Sequence, residues 1–168
     1  MEFLNIVNEQ DEVIGQAPVN EIYANEHPHR IVHVLIFNKE GKILLQQRSK
    51  TKSFLPGYWV TSAGGHVQAG ESYEQGALRE MEEEVGVHSE LDKRWYDEYK
   101  ILRDGKKIHK FLTTFHAQHN GPFNYNDEVG HVAFFSVNEI KQMIANGEKF
   151  HPEFLFLLKK YYFVSSSL

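Results

Sequence analysis

Alternating apolar and polar positions predict an opening hairpin, Phe3 to Val7 and Val13 to Gly15, around the polar stretch Glu9 to Glu12. Pro18 to Ala24 reads as a short helix with its proline in the first turn. Arg30 to Phe37, rich in Ile, Val and Phe, predicts a strand; Lys39-Glu40-Gly41 turns it back into a paired strand, Lys42 to Gln46. Phe54-Leu55-Pro56-Gly57 breaks the chain before a short strand, Tyr58 to Thr61, and the small-residue passage Ser62-Ala63-Gly64-Gly65. The clearest helix follows over Ser72 to Val85. Ser72 and Gln75 have capping-box spacing, and Gly86 stands where a helix stops. Its apolar stripe is Tyr73, Ala77, Leu78, Met81 and Val85.

Arg94 to Leu102 and Lys107 to Ala117 predict two strands joined through Asp104-Gly105, a strong hairpin signal. His131 to Val137 is a further strand, and Ser136 with Glu139 caps a helix through about Ala145. Pro152 to Phe163 predicts a closing helix with Phe154, Leu157, Leu158 and Tyr161 on its apolar face. Strands and helices without regular βαβ alternation imply an α+β fold, a mixed sheet flanked by helices.

Composition narrows the function. The chain has 168 residues, 41% hydrophobic and 24% charged, which suits one soluble domain over 1–168 with a sizeable core. A net charge of -5 argues against binding a nucleic-acid polymer, but a divalent cation can reconcile an acidic surface with a phosphate substrate. The absence of cysteine excludes disulfides, thiolate metal sites and cysteine nucleophiles. Neither a secretory signal nor a membrane span is visible, so the expected setting is cytoplasmic, without membrane contact.

Residues three and four apart share a helix face, so Glu80, Glu83 and Glu84 fall within an arc of about 100°. That arc borders the apolar stripe, which sets the acids at the edge of the core. Like charges at this spacing cost about 0.2–0.5 kcal/mol per exposed pair, and Arg79 is the only base within the helix. Oxygen ligands of this kind suit Mg²⁺ or Mn²⁺, although three acids alone equally describe a solvated face. The register decides between these readings. Gly65, five residues, Glu71, seven residues, then Arg79-Glu80-Met81-Glu82-Glu83-Glu84-Val85-Gly86-Val87 resembles the Nudix box, GX5EX7REUXEEXGU with U apolar, at every specified position over 65–87.

That resemblance implies a Nudix fold and a metal-dependent hydrolase that cuts a diphosphate linkage in a nucleoside diphosphate derivative or related organic pyrophosphate. It implies that Glu80, Glu83 and Glu84 bind Mg²⁺ or Mn²⁺, with Glu83 or Glu80 among the catalytic groups and the Gly64 carbonyl as a further ligand. Arg79 would orient a box glutamate, while Gly65, Glu71 and Gly86 are structural. A fourth acid from a later loop is expected at Glu128, with Asp127 second. The expected partner is a small phosphate-containing substrate, and a homodimer stays open.

Asn5 to Glu9, His29-Arg30, Gln46-Gln47-Arg48 and Leu55 to Trp59 are similar to the isopentenyl diphosphate isomerase branch of this superfamily. His29 and His66 match metal-binding histidines of that branch, yet Gly64 occupies the place of its catalytic cysteine, which points away from isomerisation. Arg48, His66 and Tyr58 are candidates to meet substrate, and Trp59 is better suited to the core. A Nudix-fold binding or regulatory module without catalysis is the alternative from another class.

Overall fold

The computed structural model describes residues 1–163; the expected domain extends to residue 168, and positions 164–168 lie outside the described residues. Nine strands and four helices follow one another in these residues. They are β1 (Phe3–Val7), β2 (Val13–Pro18), α1 (Val19–Ala24), β3 (His29–Phe37), β4 (Ile43–Arg48), β5 (Trp59–Val60), β6 (Ala63–His66), α2 (Tyr73–Val85), β7 (Asp92–Arg103), β8 (Lys106–Gln118), β9 (Val129–Phe135), α3 (Val137–Ala145) and α4 (Pro152–Tyr161). No helix among the described residues is long and apolar enough to cross a membrane.

β3 is the centre of a mixed sheet. It runs parallel to β8 from His29↔Lys110 to Phe37↔Gln118, and antiparallel to β6 on its other edge. Alternation along β3 divides the core. Val32, Val34 and Ile36 face α2 with Ala77, Met81 and Val85, while Leu35 faces α3 and α4 with Ile140, Phe154 and Leu158. The result is the expected α+β sandwich of a mixed sheet between helices.

The expected hairpin of β3 with β4 forms at its turn only. The two strands pair at Phe37↔Ile43 and then part, and β4 joins β9 and β5 instead. Ser62 is the wedge: Ile36 N donates to its Oγ at 2.8 Å, and that hydroxyl donates to the Leu44 carbonyl at 2.6 Å. The passage after it, expected to be irregular, is strand β6. Its small residues let it lie flat against β3.

Other boundaries shift by a few residues. Pro18 ends β2 and stands as N-cap of α1, and β9 stops at Phe135 so that Ser136 can cap α3. The last helix ends at Tyr161. The β7–β8 hairpin turns where expected, with Asp104 at φ 53 and Gly105 at φ 76, the pair of left-handed residues that a tight two-residue turn requires.

Asp11 pins the N-terminal hairpin to the body. Its Oδ1 accepts from Arg30 Nε at 2.7 Å, and its Oδ2 accepts from the Tyr73 and Tyr96 hydroxyls at 2.6 and 3.0 Å. Asp11→Asn keeps the shape and tolerates the left-handed backbone (φ 60) but removes the charge. Its expected cost is about 2–3 kcal/mol, since hydrogen bonds to a charged group are the strong ones. A lowered urea midpoint with unchanged slope is the check.

Candidate active site

Helix α2 begins and ends as its residues dictate. Gln75 N donates to Ser72 Oγ while Ser72 N donates to Gln75 Oε1, and Gly86 closes the helix in the left-handed conformation at φ 69. With both ends fixed, three box glutamates take up different surroundings. Glu80 is buried, Glu84 is half-buried, and the Glu83 side chain is 58% exposed. Leu78, expected in the buried stripe, is instead 40% exposed, because one residue beyond Ala77 turns about 100° away from the sheet. Gly76 and Glu80 take the covered positions.

Arg79 organises the cluster. It grips Glu71 with two hydrogen bonds, Nε to Oε2 at 2.6 Å and Nη2 to Oε1 at 2.9 Å. Its Nη1 donates to Glu80 at 2.8 Å and to Glu83 at 3.3 Å, and its Nη2 also reaches the His66 carbonyl at 3.1 Å. Glu71 in turn accepts from Gln68 N at 2.8 Å, which ties the loop before the helix to the helix itself.

β6 supplies the opposing surface. Gly64 N donates to Glu84 Oε1 at 3.0 Å, and Gln46 Nε2 from β4 donates to the same oxygen at 3.2 Å. Gly65 lies so close to Glu80 that a Cβ there would stand 2.6 Å from Oε1. Any side chain there would displace the Glu80 carboxylate from this position. Burial, and then the neighbouring Glu80 carboxylate, push Glu84 up to about 8; burial also raises Glu80, against the pull of Arg79. Two carboxyl groups that ionise reluctantly side by side are a suitable donor pair for a hard cation, which would take the place of the proton between them. Among the described residues no three His, Asp or Glu side chains form a ready-made metal cage. The carboxylate pair, with exposed Glu83 beside it, is nevertheless chemically fitted to such an ion.

The remaining predicted residues have other surroundings. Arg48 is within electrostatic reach of both Glu84 and Glu128, and its Nε donates to the Phe54 carbonyl at 2.9 Å. Glu128 is exposed on the rim, 3.7 Å from Lys52 Nζ, and Asp127 is exposed next to it. The Phe54 ring lies between two cations, Arg103 at 4.7 Å and Arg48 at 5.8 Å, which gives the rim a positive edge. Tyr58 is half-buried beneath Lys149, at 5.8 Å from its ring centroid, and Trp59 is buried in the α3–α4 core. On the other side of β6, His66 Nδ1 is 3.1 Å from Glu2 and its Nε2 is 2.8 Å from the Tyr23 hydroxyl. His29 is buried 3.3 Å from the same hydroxyl.

Gln46, Tyr23 and Glu2 were not expected in this neighbourhood. Gln46 carried a signal, being a polar side chain that points inward from an apolar strand. Tyr23 and Glu2 belong to no pattern in the chain.

A mixed sheet between helices, with a glycine-bounded loop and a glutamate helix joined by one arginine network, defines a Nudix-type catalytic scaffold. The chain belongs to the Nudix family: a NUDIX domain profile matches residues 27–158. It is 35% identical over 155 residues to YfcD of Escherichia coli (strain K12), described as an uncharacterized Nudix hydrolase, covering 92% of this chain and 83% of that one. Among solved structures, DR0079 from Deinococcus radiodurans superposes with a TM-score of 0.80 at 24% identity, covering 96% of this chain and 99% of that one. The NUDIX domain of Shewanella oneidensis NrtR, crystallised with ADP ribose, shares the fold at a TM-score of 0.62 and 18% identity, covering 85% and 96%. By family the chain is thus a Nudix hydrolase.

Proposed function

We propose that the domain, spanning 1–168, uses Mg²⁺ or Mn²⁺ to hydrolyse a diphosphate linkage in a nucleoside diphosphate derivative or a related small organic pyrophosphate. The observation that carries this reading is the Glu80–Glu84 pair set against the backbone of Gly64 and Gly65. Glu80, Glu83, Glu84 and the Gly64 carbonyl would hold the cation, with Glu128 as a further acid from the rim. Such an ion, when bound, supplies charge neutralisation and Lewis acidity at the phosphate.

The chain's own residues do the rest. Arg79 holds Glu80 at 2.8 Å and Glu83 more loosely at 3.3 Å, and the exposed Glu83 carboxylate can take a proton from attacking water. Arg48 would meet substrate phosphates, and Tyr58 and His66 are the further candidates to contact substrate. The ADP-ribose complex of the NrtR domain favours a nucleoside diphosphate as the substrate's core.

Isomerisation fits poorly. A Cβ at position 64 would stand 2.8 Å from the Val32 carbonyl and 3.1 Å from His33 Nδ1, so this backbone has no space for a thiol there. The test is phosphate release from nucleotide sugars, dinucleotides, nucleoside triphosphates and coenzyme A, each with Mg²⁺ and with Mn²⁺. Turnover of at least one compound that stops with EDTA is the expected result. Inactivity across the panel with both metals would leave a binding module as the better reading.

A further inference from the structure

Glu153 is a charged residue in the first turn of α4, a helix whose neighbouring positions, Phe154, Leu157 and Leu158, are apolar core. It is 4% exposed. Lys110 Nζ donates to its Oε2 at 2.7 Å, and His33 Nε2 lies 3.0 Å from its Oε1. The Lys110 ammonium, with the His33 contact beside it, holds the carboxyl well below its usual range in spite of its burial. A buried ion pair is a poor device for stability alone, because apolar side chains of similar size serve as well or better. Its geometry, however, is specific.

Two chains of contacts leave Glu153, and both end on β6. Through His33, whose Nδ1 is 2.9 Å from Thr61 Oγ1, the first reaches the Ala63 carbonyl, to which the Thr61 hydroxyl donates at 3.1 Å. The second passes through Lys110, 5.6 Å from the centroid of the Tyr23 ring, to the Tyr23 hydroxyl and His66 Nε2, 2.8 Å apart. Ala63 and His66 are the first and last residues of β6. Between them stand Gly64, whose amide holds Glu84, and Gly65, against which Glu80 is pressed.

We propose that Glu153 is a positioning residue. Acting from α4 through His33–Thr61 and Lys110–Tyr23, it fixes both ends of β6 and so the backbone surface that sets the Glu80–Glu84 pair. It lies on the opposite face of the sheet from α2 and touches none of the box glutamates. Its catalytic consequence rests on the proposed hydrolysis. Its effect on β6 does not.

The test uses the full chain labelled with ¹⁵N, and Mn²⁺ alone as the probe. Thr61→Val is nearly isosteric and removes only the hydroxyl link; Glu153→Gln removes the charge; Thr61→Ser restores the hydroxyl. Thr61→Val and Glu153→Gln are expected to move the Gly64 and Gly65 amide resonances while leaving those of Ile140 and Met143 in α3 in place. Mn²⁺ affinity, read by paramagnetic broadening, is expected to weaken about tenfold in both, the scale seen when a ligand's supporting contacts are lost. Thr61→Ser returns both readouts toward the parent. Should Glu153→Gln not fold, Thr61→Val decides alone. Unmoved Gly64 and Gly65 amides in a folded Thr61→Val chain would overturn the proposal. Moved amides and weakened Mn²⁺ binding, in a protein that hydrolyses nothing in the substrate panel, would uphold the positioning role and remove the hydrolytic reading.

Discussion

Glu84→Gln should lower turnover by about two to four orders of magnitude at saturating Mg²⁺, a loss on the scale of several kcal/mol of metal-based transition-state stabilisation. The substitution is almost purely electrostatic. Gln presents an oxygen to Gly64 N and to Gln46 Nε2, the two donors that Glu84 Oε1 satisfies at 3.0 and 3.2 Å. Its amide can then donate to Glu80, the carboxylate that pushes Glu84 upward. The metal-free variant should therefore melt no lower than the parent, since a buried group with a pKa raised to about 8 has been replaced by a neutral one. Glu83→Gln tests a different role, because that side chain is largely exposed and is held by Arg79 at 3.3 Å. It too should cost orders of magnitude in turnover, with a smaller loss of metal affinity. Unchanged rates in both variants would place the chemistry elsewhere.

The second large effect is acid instability. Burial holds His29 down to about 3, and His116 and His151 down to about 4. In the unfolded chain each takes a proton below about pH 6.5, whereas the folded protein refuses it until far lower. The stability they contribute is full above pH 6.5 and is lost as the pH falls toward 4, at up to about 1.4 kcal/mol per pH unit for each. Glu84 acts in the opposite sense, because its raised folded pKa adds stability as the pH falls from about 8 toward 4.5. Glu153, held low, adds to the loss once the pH drops below 4.5. The balance is a stability maximum near pH 6.5 in EDTA-treated protein, with an acid limb of roughly 1.5–3 kcal/mol per pH unit. Urea midpoints between pH 4.5 and 8 measure it directly. His29→Asn keeps a donor for the His27 carbonyl and should make the acid limb shallower by about 1.4 kcal/mol per pH unit. A flat profile from pH 6.5 to 4.5 would contradict the assignment of these histidines as neutral.

The parts of the site that could be read from the chain are those written locally. Ser72, Gln75 and Gly86 fix both ends of α2 through contacts within a few residues, so the helix and its glutamate arc were legible. The roles of Glu71 and Arg79 came only through the resemblance; their ion pair joins a residue ahead of the cap to the helix and was not read from spacing. Leu78 was misread because an apolar residue at a stripe's border gives no sign of which side it will take. The β3–β4 hairpin was misread for a different reason: Ser62, which parts the strands, comes from a segment whose small residues resemble a loop. The network behind β6 was not legible at all, because His33 meets Glu153 across a separation of 120 residues. Three of its members left a faint trace all the same. His33 and Lys110 interrupt apolar strands, and Glu153 interrupts an apolar helix face. A single charge among core residues suggests a partner without naming it.

The parallel ladder between β3 and β8 carries a consequence for the order in which the molecule assembles. Helix α2, capped and locally specified, can form within about a microsecond, whereas non-local strand pairing needs milliseconds or longer. The surface of β6 depends on that slow pairing and on the docking of α4. The three glutamates can therefore share a transient helix before anything is present to hold them in register. Competence is acquired late, as the last long-range contacts close behind the strand that faces them.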